Sequence, residues 1–281
     1  VAPDSSPAPT TALWRPLVRT LLAVVLAWGA AAVVGWVALG TVPGQYLDER
    51  ALRGGQALTF LGPRTRQVLD TLPAVGAAVG GLALVVMSVR ARSLRAAVVG
   101  LGVALGATVS VQVLKRLVID KPDLNVQAAA LNSFPSGHTT MAAVAGMVLV
   151  LAIPAGARAR VGLLAALYTA LAGASTVVNG WHRPSDVVAA VFITAGWAMI
   201  GSLVLHTTTG PEQPRASGTG ETSAVALGLV AGGACVLLAG AAAVPTLAGV
   251  GLAWGLVSGM ATVLGACLLS YATLAALARH R

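Results

Sequence analysis

The sequence predicts an all-α protein, a polytopic membrane helix bundle with a six-span core followed by two further C-terminal spans. Three observations carry that prediction. Hydrophobic residues fill 57% of the 281 positions and charged residues only 10%, whereas a soluble domain carries charge on about a quarter of its residues. The apolar residues fall into eight runs, each near the roughly 20 residues that cross a bilayer. Aromatics are only 4%, while Ala, Gly and Val dominate, as in helices that pack closely in lipid.

Residues 1–12 (VAPDSSPAPTTA) are rich in Pro, Ser and Thr and read as a disordered tail. The runs read as spans at about 17–39, 71–89, 96–114, 138–156, 160–178, 185–205, 223–243 and 251–277. The first is too long, and too poorly flanked by a cleavage site, for a removable signal peptide, so it reads as a permanent span. Within residues 40–70, apolar residues recur at helical spacing among Arg and Asp (LDERALRGGQALTFL). That pattern predicts one or two amphipathic helices on the membrane surface. Residues 207–222 (TTTGPEQPRASGTGET) read as a flexible linker. It separates a core, residues 13–206, from a two-span appendix, residues 223–281. The appendix has no internal charge and no candidate site, so packing or contact with a protein partner is its expected role. No span carries an ionisable residue in its middle third, which argues against a charge-lined channel.

The net charge is +9, from 18 Lys and Arg against 9 Asp and Glu. These cations lie mostly in short connections between apolar runs, where topology explains them better than nucleic-acid binding does. Cys235 and Cys267 sit inside apolar runs and read as small buried residues. Arg15, Arg19, Arg90, Arg92, Arg95, Arg158, Arg160, Arg279 and Arg281 all fall on one side of an eight-span chain. The positive-inside rule makes that side, with both termini, cytoplasmic. On the other side Arg50, Arg53, Arg64 and Arg66 are diluted by Asp48, Glu49 and Asp70. Lys115, Arg116, Lys121 and Arg183 break the rule there and need another reason to be present.

That reason lies at the outer ends of spans three to six. Span three ends in Leu-Lys-Arg-Leu-Val-Ile-Asp-Lys-Pro (114–122), and span four begins at Pro-Ser-Gly-His (135–138). Span five runs out through Ser175 towards Asn179, and span six opens with Trp-His-Arg-Pro-Ser-Asp (181–186). A bundle brings these ends within reach of one another. Lys115, Lys121 and Arg183 supply positive charge for a phosphate. Ser136 and Gly137 precede a helix start, where unpaired N–H groups favour an anion, and Gly137 allows close approach. His182 and Asp186, four apart, share one helix face. Asp186 then holds one ring nitrogen and leaves the other as a nucleophile. His138 remains as general acid for a departing alkoxide. Asp120 and Asp123 read as turn residues around Pro122. A metal site built from them and the histidines is disfavoured by the crowding cations. His206 and His280 flank spans on the cytoplasmic side, where no function is expected of them.

Over about residues 47–206 this pattern resembles the type 2 phosphatidic acid phosphatases, relatives of the vanadium haloperoxidases. That family shows Lys-x6-Arg-Pro, Pro-Ser-Gly-His and Ser-Arg-x5-His-x3-Asp. Here the second block is intact at Pro135 to His138, and the third survives as Ser175, His182 and Asp186. The first is Lys115-x5-Lys121-Pro122, one residue shorter and with Lys for Arg. Thr176 stands where the family carries Arg, and Arg183 is the residue placed to compensate, with Arg116 a weaker candidate. The resemblance implies a membrane lipid phosphatase with no metal and no cofactor, forming a phosphohistidine on His182. His138 would be the acid and Asp186 the orienting group, with Lys115, Lys121, Ser136, Gly137, Arg183 and Ser175 binding substrate. The expected substrate is a lipid phosphate or polyprenyl pyrophosphate, reached from the outer face of a bacterial plasma membrane. Two alternatives stay open: a degenerate member that binds or moves lipid phosphates, and a scaffolding membrane protein.

Overall fold

A computed structural model describes residues 11–58, 62–90, 94–127, 132–208 and 219–278. Among these residues all regular structure is helical. In chain order the helices are α1 (Thr11–Gly40), α2 (Val42–Gln56), α3 (Pro63–Arg90), α4 (Arg95–Val113) and α5 (Gly137–Ala152). They continue with α6 (Arg158–Val178), α7 (Pro184–Thr208), α8 (Thr219–Leu247) and α9 (Gly251–Leu277). A π-helical turn, Leu114–Val118, extends α4, and a 3-10 turn, Ala155–Ala157, precedes α6. Residues 1–10 of the expected tail and 209–218 of the expected linker lie outside the described residues. So do Arg92, Arg279, His280, Arg281 and the side chains of Arg64, Arg66 and Arg90.

Helices run through all eight stretches read as spans. Among the described residues, six helices are long and apolar enough to cross a bilayer: Trp14–Gly40, Arg95–Val118, Ala155–Val178, Pro184–Thr207, Thr219–Leu247 and Gly251–Leu277. The chain is a multi-pass membrane protein. Only helices and closed barrels satisfy their backbone in lipid, which is why apolar length alone foretells these elements. α3 supplies a further expected span, and α5, with 16 residues, is about 24 Å long.

The packed centre is made by α5, α6, α7 and α9, where Met147, Val150, Val177, Val187, Val191 and Leu274 are completely buried. Tyr271 of α9 is also in this centre, donating to the Ala143 carbonyl (3.1 Å) and pairing with the Thr169 hydroxyl (2.8 Å). At the end of the bundle where α6 begins, Glu221 of α8 accepts the Ala159 N–H (2.7 Å) and pairs with Arg160 (3.3 Å). Arg158 donates there to the Ala278 carbonyl.

The connection after α1 is helical, as its spacing predicts, but it does not lay an apolar face on a surface. The buried side of α2 is a polar one, carrying Gln45, Asp48 and Glu49 beside Ala51, Leu52, Gly54 and Gly55. Burial is tolerable because each polar group finds a partner. Gln45 donates to the Leu39 carbonyl (2.8 Å) and the Pro122 carbonyl (2.9 Å), and the two carboxylates reach α7. Thr41 starts α2 by accepting the Gly44 N–H (3.1 Å), an ordinary N-cap.

Candidate active site

α6 ends on a left-handed glycine. Gly180 (φ +79°) donates to the Val177 carbonyl (3.0 Å), and Trp181 N–H reaches the Thr176 carbonyl (2.9 Å). This pair of bonds is the usual way for a helix to stop on glycine. The next residue, His182, also donates its N–H to Thr176 (3.2 Å). α7 then begins at Pro184, whose missing N–H costs nothing in a first turn. His182 thus sits on a short arc between two helix ends.

Asp186, four residues on, directs Oδ2 at three donors. It lies 3.2 Å from His182 Nδ1 and accepts from the Arg183 N–H (3.0 Å) and the Ser133 hydroxyl (2.6 Å). With Nδ1 turned to the carboxylate, His182 Nε2 points the other way and stands 3.5 Å from His138 Nδ1. The rings are 5.7 Å apart in an edge-on arrangement. Trp181 also packs against His138, with centroids 5.2 Å apart. His182 and Asp186 are buried, while His138 is exposed.

The segment before His138 is fastened to both neighbours. The Ser136 N–H donates to the Asp186 backbone carbonyl (2.9 Å). Asn132 bridges the carbonyls of Lys115 (3.3 Å), in the π-helical turn, and Ile119 (2.9 Å), just after it, and accepts the Phe134 N–H (3.0 Å). The Ser136 hydroxyl caps α5 by accepting the Thr139 N–H (3.2 Å). The first N–H groups of α5, at Gly137 and His138, have no intrahelical acceptor. A Cβ on Gly137 would meet only the Gln112 side chain, at 3.8 Å. Protein packing therefore does not demand glycine there, and the space beside it is open.

Cations surround this pair of histidines. Lys115 feels the charges of Asp186 and Arg116, and His138 those of His182 and Lys115. Burial lowers the Lys121 pKa and the charge of Arg183 adds to that, while Asp186, Glu49 and Asp123 oppose it. Arg183 is itself occupied, its Nη2 lying 3.2 Å from Glu49 Oε2 with both side chains buried. Its Nε finds no acceptor. Glu49 is shared with the partly exposed Arg53 (2.9 Å). Asp48 accepts the Ser185 N–H (3.1 Å) and its hydroxyl. Burial pushes the Asp48 pKa up to about 7, helped by the charge of Asp186, against the Ser185 hydrogen bonds and Arg183.

The structure therefore gathers His138, His182, Asp186, Lys115, Lys121, Ser136, Gly137 and Arg183 at one end of the bundle. Ser175 and Thr176 are buried nearby, but their hydroxyls donate within α6, to the Ala172 and Gly173 carbonyls (2.7 Å each). Asp123 accepts the Asn125 N–H (2.9 Å) in a turn where Asn125 has φ +59°. Among the described residues, no three His, Cys, Asp or Glu side chains gather as metal ligands. Ser133, Asp48 and Glu49 were not singled out for the site from sequence. Ser133 had a faint signal, lying just ahead of Pro-Ser-Gly-His, whereas the α2 carboxylates had none. Beside Phe134 lies a cavity of about 720 Å³, lined largely by apolar groups such as Trp28, Leu39, Val113, Ile119 and Ile193.

Fold and site together define a multi-pass membrane protein with two facing histidines, a carboxylate behind one of them and cations close by. Residues 97–209 match the model of the PAP2 superfamily, whose members are generally phosphatases. The matched region runs through α4, α5, α6 and α7 and includes every site residue named from sequence, whereas α2 and α9 lie outside it. No curated protein and no solved structure gave a match.

Proposed function

We propose that the chain is a lipid phosphatase that hydrolyses a lipid phosphate or polyprenyl pyrophosphate through a phosphohistidine on His182, with its site facing the outer side of a cell membrane. The observation that carries this reading is the relay in which Asp186 holds His182 Nδ1 at 3.2 Å while Nε2 faces His138 at 3.5 Å. With its proton on Nδ1, His182 attacks phosphorus through the Nε2 lone pair. The P–O bond to the leaving group breaks, the leaving group being the lipid alcohol of a lipid phosphate or the lipid monophosphate of a pyrophosphate, and His138, protonated, delivers its proton to the departing oxygen. Water then attacks the phosphohistidine, giving its proton to His138, and the P–N bond breaks to release phosphate. The gap between the rings is too narrow for a phosphoryl group, so the exposed His138 ring swings aside to admit it.

The surroundings suit an anion. Lys115 and Lys121 counter the charge that builds on the transferred group. The unpaired Arg183 Nε and the first N–H groups of α5 are donors that an anionic oxygen would satisfy. The apolar cavity next to Phe134 suits the hydrocarbon part of such a substrate. An outward site fits recycling of a polyprenyl carrier on that face.

A second reading is a chain that binds lipid phosphates without cleaving them. One observation favours it: Thr176 replaces an arginine, and the arginine placed to compensate is paired with Glu49. Purified protein in detergent, given a panel of lipid phosphates with EDTA present, separates the two. The phosphatase releases phosphate, and His182→Ala abolishes the release. Binding without release by the unmodified chain supports the second reading. Neither binding nor release would leave a scaffolding role.

A further inference from the structure

The arc from His182 to Asp186 is held twice. One hold is its own, through Asp186. The other comes from α2, which lies outside the matched family region. Asp48 caps the start of α7, taking the Ser185 N–H at 3.1 Å and the Ser185 hydroxyl. Glu49 takes Arg183 Nη2 at 3.2 Å. Ser185 and Arg183 flank Pro184, so both attachment points lie strictly between the nucleophile and its orienting carboxylate. Arg183 also gives its backbone N–H to Asp186 Oδ2, the oxygen that faces His182 Nδ1. A shift of Arg183 is therefore felt at the imidazole.

α2 can do this because α9 seats it. A Cβ on Gly255 would lie 2.8 Å from Arg50 Cβ, and one on Gly54 would lie 2.8 Å from the Leu252 carbonyl. A Cβ on Gly259 would meet both Ala51 Cβ (2.8 Å) and Pro184 Cγ (2.6 Å). The glycines of α9 thus let α2 and Pro184 close onto one helix. All four carboxylate oxygens of Asp48 and Glu49 have partners, two from Ser185, one from Arg183 and one from Arg53. Carboxylates buried for packing alone would be a costly choice, because apolar residues of similar volume serve as well.

We propose that Asp48 and Glu49 of α2 are positioning residues that hold the nucleophile arc from outside, Asp48 through Ser185 and Glu49 through Arg183. The catalytic side of this assignment rests on the phosphohistidine reading above. The geometric side does not, and the experiment keeps the two apart.

Full-length Glu49→Gln, Asp48→Ala and Asp48→Asn are purified in detergent, with folding checked by elution profile and thermal unfolding. Carbethoxylation of His182 by diethyl pyrocarbonate is followed by peptide mass spectrometry, and hydrolysis of a lipid phosphate is followed in parallel. Labelling of the buried His182 rises at least fivefold in Glu49→Gln and Asp48→Ala. In the same variants kcat falls at least tenfold with KM within threefold. Asp48→Asn, which retains an acceptor for the Ser185 N–H, returns both labelling and kcat most of the way to the unmodified level. Glu49→Gln combined with Arg183→Gln costs no more than the larger single change, since one acts through the other. Labelling unchanged in both Glu49→Gln and Asp48→Ala overturns the proposal, as does turnover untouched while labelling rises. An unmodified chain that releases no phosphate sinks the hydrolase reading alone, and the labelling rates then decide the positioning. Should Asp48→Ala fail to fold, Glu49→Gln and its double variant still decide it.

Discussion

Two groups of buried carboxylates meet the same five-residue arc, and they arrive there by different routes. Asp186 belongs to the arc itself: it stands in the first turn of α7 and reaches back to His182, which lies ahead of that helix and not on the helix face that the spacing predicts. Asp48 and Glu49 come from α2, more than 130 positions earlier, and reach it only because α2 is seated on α9. The first works by local geometry, so the sequence spacing contains it. The second works by tertiary packing, so it holds only while α1, α2, α7 and α9 are all in place. The comparison separates orienting an imidazole from holding the backbone that carries it, and each role predicts a different response to substitution.

The sharpest contrast is between two isosteric changes. Asp186→Asn keeps the size of the side chain but presents the wrong hydrogen-bonding partner to Nδ1, and kcat should fall on the order of 100- to 10,000-fold. Asp48→Asn should cost less than about tenfold in the same assay, since it touches the backbone hold and not the ring. Equal losses would erase the distinction. A smaller effect is expected where the seat itself is disturbed. Gly259→Val drives a side chain into Pro184 and Ala51, costing about 2 kcal/mol of stability as overpacking does. Detergent thermal unfolding reads that cost, and kcat should drop with it. A destabilised chain with unchanged kcat would show that α9 supports the fold without supporting the arc.

The mildest prediction concerns pH. The Asp48 carboxyl is raised from 3.8 to about 7 by burial, so between those values the folded chain keeps a proton that the unfolded chain has lost. Its stabilising contribution is complete below about pH 4 and disappears as pH rises through about 7. The melting temperature of the unmodified chain should therefore fall from about pH 5 to about pH 8, by a few degrees more than that of Asp48→Asn. Parallel curves would mean that Asp48 is ionised throughout and that its hold on Ser185 is an anionic one.

Much of this was visible in the sequence. The eight apolar runs became helices because lipid leaves a spanning segment little alternative. Pro-Ser-Gly-His and the His182–Asp186 spacing pointed to the facing histidines and their carboxylate because each depends on near neighbours in the chain. The helix in residues 42–56 was legible from its period, but the face it buries was not. A carboxylate on a helix looks the same in sequence whether it meets water or an arginine. For the same reason Arg183 read as a phosphate ligand, and nothing near it in sequence announced Glu49. The hydroxyls of Ser175 and Thr176 turn back onto their own helix, a choice that also depends on what packs around them.

By itself the chain's order of residues determined that this is a bundle of membrane helices, roughly which stretch each occupies (although α1 and α3 begin six and eight positions before the spans read from sequence), and which two histidines face each other. These follow from hydropathy, helical periodicity and turn chemistry, which act over a few residues. Tertiary structure alone decided that α2 turns its carboxylates inward and that α9 seats it against Pro184. It also decided that Arg183 is held by Glu49. Those outcomes depend on which surfaces meet at long range, and close approach of backbones at Gly54, Gly255 and Gly259 is what lets them meet.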